Sequence, residues 1–359
     1  MSARLLALLA ALLLSACRPA DDGLALQADY LQRLNNAAQG DAVDTFDHAQ
    51  LTRYRLPTRR ERLTAIPEVR IGLLDLLLDI RRCPEVQQLI SQRNSILGKQ
   101  LLPSSRLAYE GDLLRAIEAC LPRLQAGADQ ALQRTLSELA GEKRAQLPAV
   151  FWNALNASPE VERYLRFAEQ ALPTTTPDDS AALDALTQLA TLANSVPETL
   201  PPTATKLDPV FFALHASPQG GQLITSLASL SHTLNQASEI LEQRQQRRPV
   251  CPMGRATARG RILQNIFIRF YAGALQPYLA LVHQRGQTWS AALHTLGNAP
   301  QAPQATRDYL LSLAGAEHSL WAQFELATAR HVRAWQQTLK SCGLAPGQAG
   351  WDANADNAE

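Results

Sequence analysis

Two aspartates come closest to a catalytic pair in this sequence. Asp75 and Asp79 lie four positions apart in the most apolar stretch of the chain that follows the N-terminal leader, residues 69–80. Residues at i and i+4 share one face of a helix, so these carboxylates could act as general acid and base or bind a cation. No histidine or third carboxylate lies within the stretch. An ion-pair network with nearby arginines such as Arg70 and Arg82 is the competing, structural interpretation.

A second group of residues suits ligand binding rather than catalysis. Residues 243–304 contain eight arginines and no aspartate or glutamate. Guanidinium groups bind phosphate or carboxylate with two parallel hydrogen bonds, and aromatic rings stack on cations, sugars or bases. The sequence therefore predicts a basic face for an anionic ligand. Its candidate residues are Arg259, Arg261, Arg269, Tyr271, Tyr278 and Trp289.

The preceding block offers a simpler explanation for these arginines. Residues 169–242 carry eight acidic residues and Lys206 as their one base. If the two blocks are neighbours in the fold, their charges neutralise each other and no ligand is needed. The net charge of the whole chain is only +1, so we predict no nucleic-acid partner.

The N-terminus has the pattern of an export signal. The apolar run Leu5–Leu14 follows Arg4 and consists of alanine and leucine. Ten helical residues reach about 15 Å, whereas a span of the bilayer takes roughly 20 residues, so the run is too short to cross a membrane. A basic start, a short apolar core and a small-residue cleavage site predict a signal peptide over residues 1–16.

Cys17 follows the small pair Ser15-Ala16, and this order predicts a bacterial lipoprotein signal. In that case the Cys17 thiol receives a diacylglyceryl group and becomes the acylated N-terminus. Two or three acyl chains hold a protein firmly on a membrane. A plain secretory signal with a chance cysteine is the alternative. Because Arg18 rather than aspartate follows, we expect the outer membrane and a periplasm-facing body, with the inner membrane as the alternative.

Four further cysteines, Cys83, Cys120, Cys251 and Cys342, form an even set, as expected in an oxidising compartment. Three pairings are possible. The predicted helix lengths favour Cys83–Cys120 and Cys251–Cys342, since each pair would lie where two antiparallel segments end together. Reduced, buried thiols are the alternative. Without a Cys-x-x-Cys motif, neither redox nor zinc chemistry is expected.

Other catalytic signatures are missing from the sequence. It contains no His-Glu-x-x-His, Gly-x-Ser-x-Gly, Walker or Gly-x-Gly-x-x-Gly motif, and no two histidines at i and i+4. We therefore predict no cofactor and no metal site, while clusters assembled from distant helices stay open.

The composition predicts the fold class. Apolar residues make up 46% of the chain and aromatic residues 6%, and alanine and leucine dominate the apolar set. This suits close helix-on-helix packing. We predict an all-α, multi-helix bundle of two packed sub-bundles, stapled by two disulfides. The expected divisions after the signal are a tether at 17–23, an N-terminal sub-bundle at 24–172, a Pro-rich connector at 173–209, a C-terminal sub-bundle at 210–343 and a disordered tail at 344–359.

Several helices are predicted individually. Leu223, Leu227, Leu230, Leu234, Ala237 and Leu241 alternate at spacings of four and three along a helix from about 219 to 246. Such a seam marks a contact with another helix, inside the bundle or between copies of the chain. Pro277 is expected to kink the following helix. The other predicted helices cover 24–37, 69–80, 83–97, 105–120, 128–139, 158–171 and 178–195, and a last one starts near 303.

Several strings in the chain resemble a bacterial lipoprotein family known as domain of unknown function 3080. They include Arg70-Ile-Gly-Leu-Leu-Asp-Leu-Leu-Leu78, Phe151-Trp152-Asn153, Arg248-Pro249-Val250-Cys251 and Phe270-Tyr271-Ala272-Gly273. The similarity covers nearly the whole mature chain. It implies an envelope lipoprotein and carries no assigned activity or site.

Two functional hypotheses follow from the sequence. The first is a non-enzymatic lipoprotein of the cell envelope that binds or scaffolds, with an anionic envelope ligand or an envelope protein as partner. The second is a hydrolase or lytic enzyme on envelope polymers that uses carboxylates such as Asp75 and Asp79. An open cleft at these aspartates would favour the second hypothesis.

Overall fold

The computed structural model of the chain describes residues 22–67, 80–125, 127–175 and 178–351. Cys17 and the pair Asp75 and Asp79 lie outside the described residues, as does the predicted helix over 69–80 except for its last residue, Ile80.

The described chain is all-α, as predicted, and contains no strand. The first group of α-helices comprises α1 (Gly23–Ala38), α2 (Arg59–Arg62), α3 (Pro84–Asn94), α4 (Pro103–Cys120), α5 (Gln130–Ala157) and α6 (Pro159–Leu165). The second comprises α7 (Ser180–Ser195), α8 (Ala204–Ala216), α9 (Gln219–Arg247), α10 (Ala258–Ile266), α11 (Gln276–Gly297), α12 (Gln304–Ala314) and α13 (Leu320–Ser341). Short 3₁₀ turns lie at His48–Tyr54, Ile80–Arg82, Gly98–Gln100 and Leu121–Arg123, and a π-helical segment, Phe267–Leu275, joins α10 to α11.

Helix α9 lies at the centre of the main core. All six residues of its predicted seam are buried, including Leu227, Leu230 and Leu234 with no exposed surface. The helix packs most extensively on α13 and α1, and also contacts α6 and α11. The seam is therefore a contact within the chain, and each buried leucine contributes roughly 2 kcal/mol to folding.

A second, smaller core lies beside the first. It is built by α3, α4 and the first half of α5 around Val86, Ile117 and Leu136. The main core draws on residues from Tyr30 to Leu344, so α1 packs with the C-terminal helices. The two cores therefore group α1 with the C-terminal helices, and the predicted boundary at 173–209 stays a prediction.

Both predicted disulfides are present. Cys83 pairs with Cys120 and Cys251 with Cys342, with Cα–Cα distances of 5.7 and 5.1 Å. The first joins the start of α3 to the end of α4 in the small core. The second joins the loop before α10 to the end of α13, so it closes the main core at its C-terminal side.

Several elements differ from the predicted ones. Residues 130–157 form one helix that runs through Pro148, because Leu147, Pro148 and Val150 are all buried and packing holds the helix together. The helix after Ser158 is short and ends at Leu165. The segment before Pro277 is π-helical rather than a regular α-helix, with hydrogen bonds that reach five residues back.

The last helical region is split in two. His318 adopts a left-handed backbone with φ of +56°, which interrupts the helix between α12 and α13. Ser319 then caps α13 by accepting a hydrogen bond from the Ala322 amide at 3.1 Å. The start of the predicted tail is packed on the fold, since Leu344 is buried and the Trp351 ring lies 6.3 Å from that of Phe267.

A hydrogen-bonded chain of side chains crosses the main core between α1, α9 and α13. The Trp335 indole donates to the Tyr30 hydroxyl at 2.9 Å, and this hydroxyl lies 2.7 Å from Nε2 of His331. Nδ1 of His331 lies 3.4 Å from Ser238 Oγ, which itself donates to the Leu234 carbonyl at 2.6 Å. We therefore assign to His331 the neutral tautomer with the proton on Nδ1. This tautomer gives each side chain of the hydrogen-bonded network a partner.

Burial lowers the pKa of His331 to about 3, from an ordinary value of 6.5. Between these values the unfolded chain binds a proton that the folded chain excludes, so stability falls as the pH drops below 6.5. We expect the free energy of unfolding to fall by about 2 kcal/mol from pH 7 to pH 5 on account of this residue. Urea denaturation of wild type and His331→Gln at both pH values measures it.

The variant should lose that part of the pH dependence, whatever its stability at pH 7. His215→Gln, which alters an exposed histidine, serves as the control and should keep the wild-type dependence. An unchanged pH dependence in His331→Gln would contradict the assignment.

Candidate anion-binding site

The end of α9 and the start of α10 bring guanidinium groups together. We call Arg244, Arg247, Arg248 and Arg259 the basic cluster. Arg244 lies close enough to Arg248 and Arg259 for their charges to act on it. Arg247 lines the same groove as Arg244. All four belong to the acid-free block identified in the sequence.

The loop between α9 and α10 is fixed in place from several sides. Cys251 ties it to the end of α13. Thr257 caps α10, because its hydroxyl oxygen accepts from the Gly260 amide at 3.0 Å while its hydroxyl donates to the Val250 carbonyl at 3.0 Å. A Cβ at position 260 would lie 3.0 Å from the Cys251 sulfur, so glycine allows this close approach. The loop therefore carries its arginines on a rigid base.

Arg259 links α10 to the end of α1. One of its terminal nitrogens donates to the Ala37 carbonyl at 3.0 Å. A cation at a helix C-terminus is favourable, because the last carbonyls lack partners and carry partial negative charge. Arg259 is thus half-buried and held, while the rest of its guanidinium group stays near Arg244.

A groove of about 210 Å³ lies between residues 38–43 and α9, with Arg244 and Arg247 in its wall. Nε of Arg244 is buried and has no hydrogen-bond partner among the described residues. Burial, followed by the charges of Arg259 and Arg248, lowers the pKa of Arg244. An unpartnered buried donor among like charges disfavours the empty state and favours an anion that would accept from it.

Little of the preceding acidic block neutralises the cluster. Glu242 and Glu239, the acidic residues on α9, pair with Arg330 of α13 at 2.7 and 3.6 Å. Arg247 has one weak partner, Asp41, at 3.3 Å, and both side chains are exposed. Neutralisation by the acidic block, expected as the simpler explanation, therefore does not describe this end of α9.

Arg285, in contrast, lies close to two carboxylates of the acidic block. Burial raises the pKa of Asp179, while a hydrogen bond from Ser217 and the charge of Arg285 oppose the rise. Asp178 also feels the charge of Arg285. The two blocks therefore meet at Arg285 but not at the basic cluster.

The predicted ligand-binding residues are only partly brought together. Arg261 and Arg269 are exposed, and Arg259 belongs to the cluster. The predicted aromatic residues Tyr271, Tyr278 and Trp289 are buried, and none of them lines the groove beside the basic cluster, so they offer no ring to a ligand at that site. This part of the interpretation needs correction, because the stripe that contains the three rings faces inward.

Tyr278 shows why the rings turn inward. Its hydroxyl donates to the Leu172 carbonyl at 2.9 Å and lies 3.1 Å from Ser226 Oγ. A Cβ at Gly23 would overlap this hydroxyl, so the start of α1 covers the ring completely. Tyr278 therefore stabilises the core and is not available to bind a ligand.

Sequence reasoning missed Arg244, Arg247 and Arg248 as site residues. Their sequence signal is a run of three arginines within five positions at a helix C-terminus, followed by Pro249. That signal is as typical of ordinary helix capping as of binding. Only the fold shows that Arg259 joins them.

Within the described ranges, no group of three or more histidine, cysteine, aspartate or glutamate side chains is placed to hold a metal ion. The candidate acid pair, Asp75 and Asp79, lies outside those ranges. Among the described helices, none combines the length and the hydropathy that a membrane span requires.

An exposed apolar loop lies elsewhere on the surface, between α3 and α4. We call residues 95–102 the apolar loop. Ile96 and Leu97 are 82% and 81% exposed, and Leu101 and Leu102 are also exposed. Arg93 donates to the Gly98 carbonyl at 2.5 Å, and the Gly98 amide donates to Ser95 Oγ at 3.0 Å, so the loop has a defined shape. No acidic residue occurs from 86 to 109.

These features define an all-α, disulfide-stapled protein with a basic surface cluster. Residues 27–346 match the family described as "Protein of unknown function (DUF3080)", and the chain belongs to that family. No curated protein and no solved structure matches the chain.

Arg244 provides a direct test of the cluster. Arg244→Gln removes an unpartnered buried donor and a like-charge pair with Arg248 at i and i+4. We therefore expect the free energy of unfolding at low salt to rise by about 0.5 kcal/mol. Arg330→Gln is the matched control, because it loses partners at Glu242 and Glu239 and should lower stability by up to about 1 kcal/mol. Urea denaturation measures both, and equal losses would show that Arg244 serves packing.

Proposed function

We propose that the protein is a lipid-anchored component of the bacterial cell envelope that binds anionic groups through the basic cluster and has no enzymatic role. The observation that carries this proposal is the buried Nε of Arg244, which lies between like charges and has no hydrogen-bond partner in the part of the chain that the structure describes. Residues selected for stability alone avoid such an arrangement, whereas binding sites tolerate it because the ligand supplies the missing partner.

The chemistry of the cluster favours phosphate or carboxylate. Guanidinium groups match these anions through paired hydrogen bonds and stay charged at any physiological pH. Arg255 and Arg261 are exposed on the loop and helix beside the cluster and extend it. Several cations along one surface suit a polymer with repeated negative groups better than a single small anion. We propose an anionic envelope polymer as the ligand.

The anchor is proposed from the sequence. Cys17 would carry the acyl chains after removal of residues 1–16, and Arg18 favours the outer membrane with the body in the periplasm. The apolar loop fits a protein held near a bilayer, because exposed aliphatic side chains insert into the interface while Lys99 stays at the headgroups. The combination of anchor and polymer binding suggests a link between a membrane and another envelope layer.

Binding of the chain from Arg18 onward to lipopolysaccharide and to peptidoglycan fragments tests the proposal. We expect binding at low salt that weakens at high salt. The variant Arg248→Gln, Arg255→Gln, Arg261→Gln should bind at least about tenfold more weakly, a loss of about 1.4 kcal/mol. These side chains have no hydrogen bond or ion pair in the described residues, so the fold should be unaffected.

A matched triple variant controls for total charge. Arg55→Gln, Arg60→Gln, Arg134→Gln removes three exposed arginines from elements that carry no part of the basic cluster. It should bind like wild type. Equal losses of polymer affinity in both triple variants would show that total charge, and not the basic cluster, determines binding. Absence of binding at both salt concentrations would overturn the proposed ligand and leave an envelope protein as the partner to seek.

The apolar loop makes a separate contribution that the same chain can reveal. Ile96→Asn, Leu97→Asn should reduce co-sedimentation with vesicles of phosphatidylethanolamine and phosphatidylglycerol by about tenfold. The reduction should persist at high salt, because burial of apolar surface is not screened. Phe212→Asn, Leu326→Asn replaces two other exposed apolar residues and should have no such effect. Wild-type binding by the loop variant would contradict a membrane role.

A further inference from the structure

An apolar groove of about 510 Å³ lies between the π-helical segment and α13. We call it the aromatic groove. Its apolar lining includes Phe267, Tyr271, Val332, Trp335, Leu339 and Pro346. Ligand sites for small molecules typically have volumes of 300–1,000 Å³, mostly apolar walls and a few polar groups. The aromatic groove has this composition and shares no residue with the basic cluster.

The π-helical segment shapes one wall of the groove. In this segment the Gln276 amide donates to the Tyr271 carbonyl, five residues back, in place of the usual four. The ring of Phe267 lies 5.3 Å from that of Trp335 in an edge-on arrangement, and the Tyr271 ring stacks on Trp335 at 6.4 Å. π-helical turns are rare and occur often at functional sites. Here the turn supplies two aromatic rings to the lining.

The floor of the groove is rigid. Trp335 donates to the buried Tyr30 hydroxyl, so its ring is held by the chain that continues to His331. His331 also packs against the edge of Tyr271, with ring centroids 5.0 Å apart. A ligand would therefore meet a prepared apolar surface and would not have to order it.

The polar groups of the lining are uncharged or positive. Gln276, Gln336 and Lys340 contribute them, and no aspartate or glutamate lines the groove. Lys340 is exposed at the last turn of α13 and forms no ion pair within the described residues. An apolar cavity with one cation at its edge is complementary to an amphiphile with an anionic head.

The C-terminal segment borders the groove but does not suit its interior. Ala345 and Pro346 line one side, and Trp351 contacts Phe267. The eight residues that follow are Asp352-Ala-Asn-Ala-Asp-Asn-Ala-Glu359, and none has a large apolar side chain. The tail therefore lacks the chemistry to fill an aromatic-lined cavity.

We infer that the aromatic groove binds the acyl chain of a single anionic amphiphile, such as a fatty acid, whose head group pairs with Lys340. Dispersion contacts with Phe267 and Trp335 hold the chain, and Lys340 selects a negative head over a neutral one. The inference does not depend on the polymer ligand proposed for the basic cluster.

Titration of the chain from Arg18 onward with palmitate and with hexadecanol, below the concentrations at which either aggregates, tests the inference. Native mass spectrometry should show one palmitate per chain. Val332→Trp fills the groove and should weaken binding at least about tenfold, while Leu326→Trp, on the exposed face of the same helix, should not. Lys340→Gln should weaken palmitate about threefold and leave hexadecanol unchanged, and Arg333→Gln is its control.

Crosslinking of the wild-type protein with a diazirine-labelled palmitate tests the same inference without a variant, so the result does not depend on whether a variant folds. Labelled peptides should contain residues 267–271 and 332–346. Labels spread over the surface, several palmitates per chain, or equal affinity in Val332→Trp and Leu326→Trp would overturn the inference. A concentration-dependent dimer that Val332→Trp abolishes would also overturn it, because a second copy would then be the occupant. The variant Arg248→Gln, Arg255→Gln, Arg261→Gln should bind palmitate like wild type, so a failure of the proposed polymer binding can be distinguished from a failure of this inference.

Discussion

Burial of α9 on several sides is the constraint on which the structure depends. A helix enclosed by others must satisfy every polar group internally, and its side chains must let its neighbours approach closely. Serines and threonines on α9 meet both demands. Ser226, for example, donates to the Gln222 carbonyl of its own helix and accepts from the Leu172 amide of the neighbouring segment. Packing of α1 and α13 against this helix then places the first and last helices of the described residues in the same core.

The same arrangement explains where charge can accumulate. Glu239 and Glu242 both form ion pairs with Arg330 of α13, the helix that packs most extensively on α9. The acidic residues of α9 are therefore paired with α13. One turn further, Arg244, Arg247 and Arg248 extend past this contact toward the end of α1. The disulfide between Cys251 and Cys342 fixes the loop that follows. A rigid, locally basic surface results on a chain whose net charge is only +1.

Three surfaces of the protein now carry distinct chemistry. The basic cluster offers guanidinium groups, the apolar loop offers exposed aliphatic side chains, and the aromatic groove offers a partly open apolar space. A protein held at a membrane by its N-terminus would meet polyanions, lipid headgroups and free amphiphiles in the same compartment. Binding at the basic cluster should weaken at high salt while binding by the apolar loop should not, so these two contributions can be separated by experiment.

The sequence by itself determined the helical class, the seam of α9 as a helix-packing surface and the presence of an acid-free arginine block, and it favoured the two disulfide pairings that the structure contains. These follow from local periodicity, from cysteine number and from helix length, which act over short distances along the chain. Tertiary structure decided the rest. Tyr271, Tyr278 and Trp289 follow the exposed Arg261 and Arg269 closely in the same helical region, and only the packing of that region against other helices shows that the rings face inward. Arg259 joins Arg244 because the fold brings α10 to the end of α1. No local pattern encodes such a contact, since it depends on which helices become neighbours.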